Sequence, residues 1–370
     1  NLVVKTNKFR AMQNKTKKLD FTGKNIYSGI DTHLKTWKIS IMVDEVVCQT
    51  FTQDSKAKDL HSYLNKNYPG GNYFSAYEAS FCGFGPHRDL IKYGIQNIVV
   101  NPADIPTTDK EKKQKEDSRD SRKIVRSLHN SELEAIYVPS MDIEGLRILV
   151  RYRKTLVKEI NRYKNRTKSF LYYNNIKIPT ELENGSKHWS KHYSNWLKSL
   201  SFEIEYSKIT LDSIVETVEY LRKKLLEITR RLRQLERQGE YSEQICLLRT
   251  IPGIGLIMAM TILTELENIE RFRNLDKLCS YVGLIPRTNS SGENEKTGGI
   301  TPRNNWQLRN MLVESAWIAI RHDPALMMKY GQLRQRMEAN KAIINIAKKL
   351  LNRIKHVLIN KEPYEKGFVQ

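Results

Sequence analysis

The spacing of apolar residues changes character twice along the chain. Between Asn25 and residue 145, short apolar runs such as Ile26–Ile30 and Trp37–Val43 alternate with helical segments and turn residues. This pattern is typical of strands and helices packed in layers. It predicts three strands, a helix, a strand, a helix, a strand and a helix, in that order. We therefore expect an α/β domain with a mixed sheet over residues 25–145.

Residues 146–242 have the apolar period of helices. Eight positions from Leu211 to Leu235 are spaced alternately three and four residues apart, which is the pattern of a coiled-coil seam. A weaker seven-residue series from Leu149 to Phe170 precedes it. We expect a helical coiled-coil linker that either folds as an antiparallel hairpin or pairs with a second copy of the chain.

Residues 243–370 predict a mostly α domain. The turn Pro252–Gly255 joins two apolar helical stretches, a Gly- and Ser-rich loop covers Pro286–Pro302, and helices follow over Asn305–Arg321 and Ala339–Asn360. The turn resembles a helix-hairpin-helix motif, in which Gly253 and Gly255 would let backbone N–H groups approach a phosphate. A plain packing turn is the alternative. Thr301 and Pro302 would cap the next helix.

The charge balance indicates a polyanionic partner. The chain has 62 Lys and Arg against 41 Asp and Glu, a formal net charge of +21. Part of the excess lies in a basic tail, residues 1–24, and part in residues 151–168, which form either a solvated helix face or a nucleic-acid track. The candidate contacts in that second segment are Arg151, Arg153 and Lys154.

Two other classes of protein are disfavoured. The longest nearly apolar stretch, Gly253–Leu263, is shorter than the roughly 20 residues that cross a bilayer, so we expect no membrane partner and a cytoplasmic protein. The four cysteines are too few and too scattered for a disulfide framework or a zinc site.

Four carboxylates form the first candidate site. Asp31 and Glu78 follow predicted strands, and Asp117 and Asp120 lie three apart on one face of a predicted helix. Packed together, they would repel one another unless cations such as Mg²⁺ or Mn²⁺ neutralised them. The alternative is that they are ordinary acids at element ends. The basic residues around the helical pair suit phosphate binding: Lys115, Arg119 and Arg122.

Adjacent serines in the Gly- and Ser-rich loop form the second candidate site. Ser290 and Ser291 precede Gly292, although a loop serine usually has no chemical role. Basic residues that could position a phosphate accompany them: Arg287, Lys296, Arg303 and Arg309.

The ordered set of motifs resembles a known family, the DEDD-type insertion-sequence transposases related to the Piv invertases and described as bridge-RNA-guided recombinases. The middle of the chain matches only as a helical linker. The residues that carry the resemblance are Gly29-Ile30-Asp31, Tyr77-Glu78-Ala79-Ser80, Asn101-Pro102, Lys115–Asp120, Ile251–Gly255, Tyr281–Pro286, Ser291-Gly292, Gly299-Ile300-Thr301, Leu308-Arg309, Ala342–Leu351 and Pro363-Tyr364.

This resemblance implies a RuvC-like, RNase H-type fold for residues 25–145, with Mg²⁺ (or Mn²⁺) held by the four acids. It implies a serine nucleophile in residues 243–370, which is Ser291, or Ser290 as second candidate. The serine would form a covalent phosphoserine intermediate with DNA. The implied partners are donor and target DNA, a guide RNA and further copies of the chain, as a dimer or tetramer, in a bacterial or archaeal nucleoid. A RuvC-like junction nuclease or invertase and a non-catalytic nucleic-acid-binding scaffold are the alternatives.

Overall fold

The computed structural model describes residues 20–106, 117–183, 189–291, 294–301 and 304–366. The chain divides into two units after Val138. Each unit has its own apolar core.

The first unit is built on a five-stranded sheet with the strand order β3-β2-β1-β4-β5. Its strands are β1 (Asn25–Thr32), β2 (Thr36–Val43), β3 (Val46–Asp54), β4 (Asn72–Glu78) and β5 (Gln96–Val100). The first three pair antiparallel, and β1, β4 and β5 pair parallel. The mixed sheet predicted from the sequence is confirmed.

Helices cover both faces of this sheet. The apolar residues of α1 (Ala57–Asn67) and α2 (Gly85–Lys92) share a core with the strands. The third helix, α3 (Asp117–His129), contributes to a smaller apolar cluster with β4 and β5. The order of strands and helices predicted for residues 25–145 is therefore the order observed.

Helix α3 packs unusually close to β1, and Gly29 is the reason. A Cβ atom at this position would lie 2.2 Å from the backbone oxygen of Ser121 and 2.4 Å from the backbone nitrogen of Val125. Ser121 is fully buried, and its hydroxyl lies 2.9 Å from that of Ser40 on β2. Only a residue without a side chain fits between this strand and this helix.

The second unit is mostly helical. Its helices and one β-hairpin, in chain order, are α4 (Met141–Tyr173), α5 (Lys191–Ser199), α6 (Glu205–Gln238), α7 (Ser242–Arg249), α8 (Leu256–Leu266), α9 (Leu275–Val282), β6 (Pro286–Ser291), β7 (Asn294–Ile300), α10 (Trp306–His322), α11 (Pro324–Arg334) and α12 (Ala339–Asn360).

The long helices α4 and α6 form an antiparallel hairpin within the chain. Arg153 of α4 donates a hydrogen bond from Nε to Oγ1 of Thr229 at 3.0 Å. Towards the other end, Leu171 of α4 and Leu211 of α6 belong to one apolar cluster. Of the two arrangements predicted for these helices, the antiparallel hairpin within the chain is the one observed. Its base lies in the same core as the C-terminal helices, to which it contributes Val150 and Leu232, for example.

Three details of the predicted C-terminal region are wrong. The segment from Pro286 that was expected to be a loop forms the β6–β7 hairpin. Helix α10 is capped by Asn305, whose side chain accepts a hydrogen bond from the backbone N–H of Leu308, and not by Thr301. Helix α11, capped by Asp323, has no counterpart in the predicted elements.

None of the described helices combines the length and the apolar character that crossing a bilayer would need.

The contact at Gly29 gives a prediction about stability. Gly29→Ala should lower the free energy of unfolding of the first unit by about 3 kcal/mol, because overpacking against a backbone oxygen forces α3 to move. Hydrogen exchange of peptides from β1 and β4, followed through a urea series, measures the change. Gly85→Ala is the matched control, because a Cβ there meets nothing within 4 Å. Equal transitions for the two variants would contradict the close packing.

Candidate functional site

Two of the four acids are neighbours at one edge of the sheet. Strands β1 and β4 run parallel and pair Ile30 with Tyr77. The next residue of each strand is an acid, Asp31 in β1 and Glu78 in β4. Both therefore lie at the carboxyl edge of the sheet, on adjacent strands.

These acids also share a face of the sheet. Side chains alternate between the two faces along a strand, so Asp31 lies on the face of Gly29 and Glu78 on the face of Ala76. Gly29 contacts α3, and Ala76 shares an apolar cluster with Ile124 of α3. The face that carries both acids is the one that α3 covers.

Helix α3 runs opposite to β1, which brings its first turn to the same edge. Ser121 lies over Gly29, whereas the last residue, His129, contacts Tyr27 with 5.2 Å between ring centroids. The start of α3 therefore lies towards the carboxyl end of β1. The acids of this first turn are Asp117 and Asp120.

The donor chemistry of this edge fits a divalent cation. Carboxylate oxygens are the ligands that Mg²⁺ and Mn²⁺ prefer. The side chain of Asp31 is 23% exposed, and its Oδ2 lies 3.3 Å from Nε2 of His33. Among the side chains that the structure describes, no three acid, histidine or cysteine groups are arranged to hold a metal. The side chain of Asp117 lies outside that described part.

The basic residues predicted around these acids have different surroundings. Arg122 is exposed, and its Nε donates a hydrogen bond to Oγ1 of Thr50 at 3.1 Å. Arg119 is also exposed on α3, and Lys115 lies outside the described residues.

The two candidate serines lie in strand β6, next to the tip of the hairpin. Ser291 is the last residue of β6 and pairs with Asn294, and Ser290 pairs with Glu295. The backbone of this segment is described, but its side chains are not. The predicted phosphate-positioning residues outside the described side chains are Arg287, Lys296 and Arg303.

The base of the hairpin is fixed by backbone contacts. Pro286 pairs with Ile300, and the backbone N–H of Thr301 donates to the oxygen of Ile285 at 3.2 Å. Arg309, predicted to position phosphate, donates from Nη1 to the backbone oxygen of Thr301 at 3.1 Å. Arg309 thus contacts the chain that leaves β7.

A buried carboxylate joins this region to the long helices. Glu265 of α8 is 2% exposed. Nε and Nη2 of Arg151 each donate to one of its carboxylate oxygens, both at 2.9 Å. Nδ2 of Asn305, the cap of α10, donates to Oε2 at 2.8 Å. The hydroxyl of Tyr281 on α9 donates to the backbone oxygen of Glu265 at 3.0 Å. One residue therefore connects α4, α8, α9 and the start of α10.

This contact gives Arg151 a structural role that the sequence did not predict. Burial disfavours the charged guanidinium, but the hydrogen bonds and charge of Glu265 outweigh it, so the pKa of Arg151 is raised. Arg151 is the partner of a buried acid, whereas the charge pattern of the sequence indicated a contact with nucleic acid. The sequence did contain a signal, since Glu265 is the single charged residue of the apolar helix α8.

Two lysines of α4 contact an exposed tryptophan that the sequence patterns did not single out. Nζ of Lys154 lies 4.0 Å and Nζ of Lys158 lies 4.6 Å from the ring centroid of Trp306, which is 47% exposed. Burial and the neighbouring charge of Lys158 lower the pKa of Lys154. Trp306 begins α10, so a cationic and aromatic surface lies a few residues beyond the serine hairpin in the chain.

The glycines of the turn between α7 and α8 have separate explanations. Gly253 has φ +87°, and a Cβ there would lie 2.4 Å from the backbone oxygen of Ser315 on α10. Packing against α10 therefore accounts for Gly253, which is the alternative to a phosphate contact. Gly255 has φ −88° and open space at its Cβ position, so neither argument applies to it.

Two family models match the chain. Residues 29–173 match a DEDD transposase domain described as "Transposase". Residues 246–332 match the "Transposase IS116/IS110/IS902 family". The first match includes the strands and helix that carry the four acids, and the second includes the serine hairpin.

Relatives with the same description occur in several bacteria. A transposase of Sinorhizobium fredii, y4qE, is 31% identical over 244 residues, which cover 66% of this chain and 58% of that protein. The transposase for insertion sequence element IS1533 of Leptospira borgpetersenii is 23% identical and covers 80% of this chain and 85% of its own length. That for IS1111A of Coxiella burnetii is 22% identical, with coverages of 77% and 78%.

The fold of the first unit, its acidic edge and these matches define the class as an insertion-sequence transposase with a DEDD domain. Within that class, the chain belongs to the IS110/IS116 family.

The Arg151–Glu265 pair generates a prediction about stability. Arg151→Met should lower the free energy of unfolding of the second unit by about 3 kcal/mol, because the buried carboxylate then loses two charge-assisted hydrogen bonds. Among the described side chains it keeps an ion pair with Nε of Arg147, at the longer distance of 4.0 Å. Combining Arg151→Met with Glu265→Gln should recover part of this loss, since the remaining amide is neutral and still accepts from Asn305. Urea unfolding followed by tryptophan fluorescence measures both variants. A double variant less stable than Arg151→Met would contradict this account.

Proposed function

We propose that the chain moves an insertion sequence by cutting and rejoining DNA strands, and that a serine of the β6–β7 hairpin forms a covalent bond to DNA during the reaction. The observation that carries the proposal is the position of Asp31 and Glu78, side by side at the carboxyl edge of the sheet and on the face covered by α3. This edge belongs to the segment that matches the DEDD transposase domain.

The acids of this edge are assigned to divalent cations. The residues that would hold Mg²⁺, or Mn²⁺, are Asp31, Glu78, Asp117 and Asp120. When bound, such ions supply charge stabilisation at the oxygens of the phosphodiester and help to activate the attacking group. The chain itself positions the ligands, because strand pairing and the close packing of α3 hold the ends of β1 and β4 and the start of α3 at one edge.

The attack of the serine on DNA needs no external source of energy. Oγ of Ser291, or of Ser290 as second candidate, forms a bond to the phosphorus of a DNA phosphodiester. The bond from that phosphorus to one deoxyribose oxygen breaks, the serine proton passes to solvent or a base, and the released oxygen takes up a proton. The phosphoester to serine keeps the energy of the original bond, so attack by another DNA hydroxyl rejoins a strand and frees the serine.

The remaining basic residues are assigned to nucleic-acid phosphates. Lys154 lies against the exposed ring of Trp306, and an aromatic face beside cations favours contact with a nucleic-acid strand. Arg151 is left out because Glu265 engages it. The residues assigned to this role are Lys115, Arg119, Arg122, Arg153, Lys154, Gly255, Arg287, Lys296, Arg303 and Arg309.

Guide RNA and self-association belong to the same proposal. Their support is the resemblance to bridge-RNA-guided recombinases related to the Piv invertases, together with the net charge of +21. DNA as substrate implies action in the bacterial cytoplasm, close to the nucleoid. A homo-oligomer would bring several copies of the serine hairpin to one pair of DNA ends.

Trapping the covalent intermediate tests the serine. Incubation with labelled element-end DNA and Mg²⁺ should give a protein–DNA adduct that survives denaturation, and Ser291→Ala should abolish it. Ser290→Ala is the matched control and should retain it. Loss of the adduct in Ser290→Ala alone would move the nucleophile to that residue. DNA cleavage by wild-type protein without any adduct would instead support a RuvC-like nuclease that uses water.

Removing one acid tests the metal assignment. Asp31→Asn should lower the rate of strand cutting at least about 100-fold, because metal ions stabilise transition-state charge by several kcal/mol. A chelator should have the same effect on wild-type protein. Asp44→Asn is the control, since Asp44 lies in the exposed turn between β2 and β3. Full activity of Asp31→Asn in Mg²⁺ would reject the assignment and favour a scaffold with an inactive acidic edge.

A further inference from the structure

A cavity of about 580 Å³ lies in the second unit, among α4, α6, the turn before α8, and α10. Its charged lining is mainly cationic, with four arginines and two glutamates. The arginines are Arg153 of α4, Arg233 and Arg237 of α6, and Arg249 of α7. We call this space the arginine cavity.

The acids of the lining neutralise only part of this charge. Glu236 forms an ion pair with Arg249, and Glu314 interacts electrostatically with Lys154. Within the part of the chain that the structure describes, Arg233 and Arg237 form no ion pair. These two residues lie one turn apart on α6, so both extend from the same side of that helix.

Two of the guanidinium groups are close enough to repel each other. Nε of Arg153 is bonded to the hydroxyl of Thr229, which is neutral. Burial lowers the pKa of Arg153, and the charge of Arg233 lowers it further. Like charges held together in a partly buried space destabilise the protein, and a bound anion would remove that repulsion.

The first turn of α8 adds hydrogen-bond donors to the same cavity. The 11-residue helix begins at Leu256, and its N-cap residue, Gly255, has no side chain that could accept from the first N–H groups. Gly255, which precedes it, also lines the cavity. Its φ of −88° suits any residue, and a Cβ there would meet no atom of the described residues within 4 Å. Neither backbone conformation nor packing requires glycine here, so its effect is to leave the helix N-terminus open.

We propose that the arginine cavity binds a backbone phosphate of a nucleic-acid strand, held by Arg153, Arg233 and Arg237 and by the first N–H groups of α8. A cavity of this volume is larger than one phosphate, and apolar side chains such as Met311 and Ile318 complete its lining. These side chains would contact the sugar that adjoins the phosphate. The choice of nucleic acid as the source of the phosphate rests on the proposed function, and the strand is either DNA or RNA.

Binding should be measured in a protein that cannot react. The 370-residue chain carrying both Ser290→Ala and Ser291→Ala is titrated against fluorescently labelled duplex DNA and, separately, single-stranded RNA, over a series of salt concentrations. The additional changes Arg153→Gln and Arg233→Gln should together weaken binding of at least one probe tenfold or more near 0.1 M salt. The slope of log K against log salt should become shallower by about 1, because the protein then neutralises one phosphate fewer.

Control variants distinguish the effect of the cavity arginines on binding from the effect of overall positive charge and from a loss of folding. Arg231→Gln removes an exposed positive charge of the same helix that does not line the cavity, and it should change affinity less than twofold. Gly255→Ala keeps every arginine and should weaken binding at least threefold without lowering the melting temperature. Gly145→Ala, another glycine with open space around it, should leave the affinity unchanged.

The outcomes distinguish DNA from RNA as the bound strand, and they distinguish the phosphate site from the proposed covalent serine. An effect on the duplex alone assigns the cavity to DNA, an effect on RNA alone assigns it to RNA, and an effect on both supports the shared phosphate. Unchanged affinity and salt slope in the double arginine variant would overturn the inference, as would an equal loss in Arg231→Gln. Because no covalent step is involved, these results hold whether or not a serine adduct forms in the separate trapping assay.

Discussion

The buried carboxylate of Glu265 is the interaction on which the arrangement of the second unit depends. An ion taken out of water requires close partners, and its partners come from α4 and from the cap of α10, while Tyr281 bonds its backbone. Those elements include the base of the long hairpin and the chain that leaves the serine strands. Apolar packing alone lets two helices slide and rotate against each other, whereas a bidentate Arg–carboxylate pair fixes one register between them.

In the first unit, backbone packing fixes the positions of the strands and of helix α3 around the candidate site. Its acids share an edge because β1 and β4 are parallel neighbours and because Gly29 lets α3 approach the sheet. Backbone geometry thus brings together groups that repel one another, because strand pairing and the packing of α3 place their backbones at one edge. The two units therefore stabilise their candidate chemistry differently, one through backbone packing and the other through an ion pair.

Local patterns in the sequence predicted most of the helices and strands, because apolar periodicity is a property of neighbouring residues. They missed the β6–β7 hairpin, whose strands PRTNSS and NEKTGGI are polar and lack an alternating apolar face. The adjacency of Asp31 and Glu78 was predictable from strand ends. The partner of Arg151 was not, because Glu265 lies 114 residues away and no local pattern links residues at that distance.

The α4–α6 hairpin contains two apolar clusters rather than one. Leu232 belongs to the main core, Leu211 belongs to a separate cluster with Trp189 and Tyr193, and Leu221 between them belongs to neither. From Leu211 to Leu232 the helix rises about 30 Å, at 1.5 Å per residue. Two separate apolar clusters along one hairpin predict two local stabilities, one for its far end and one for its base.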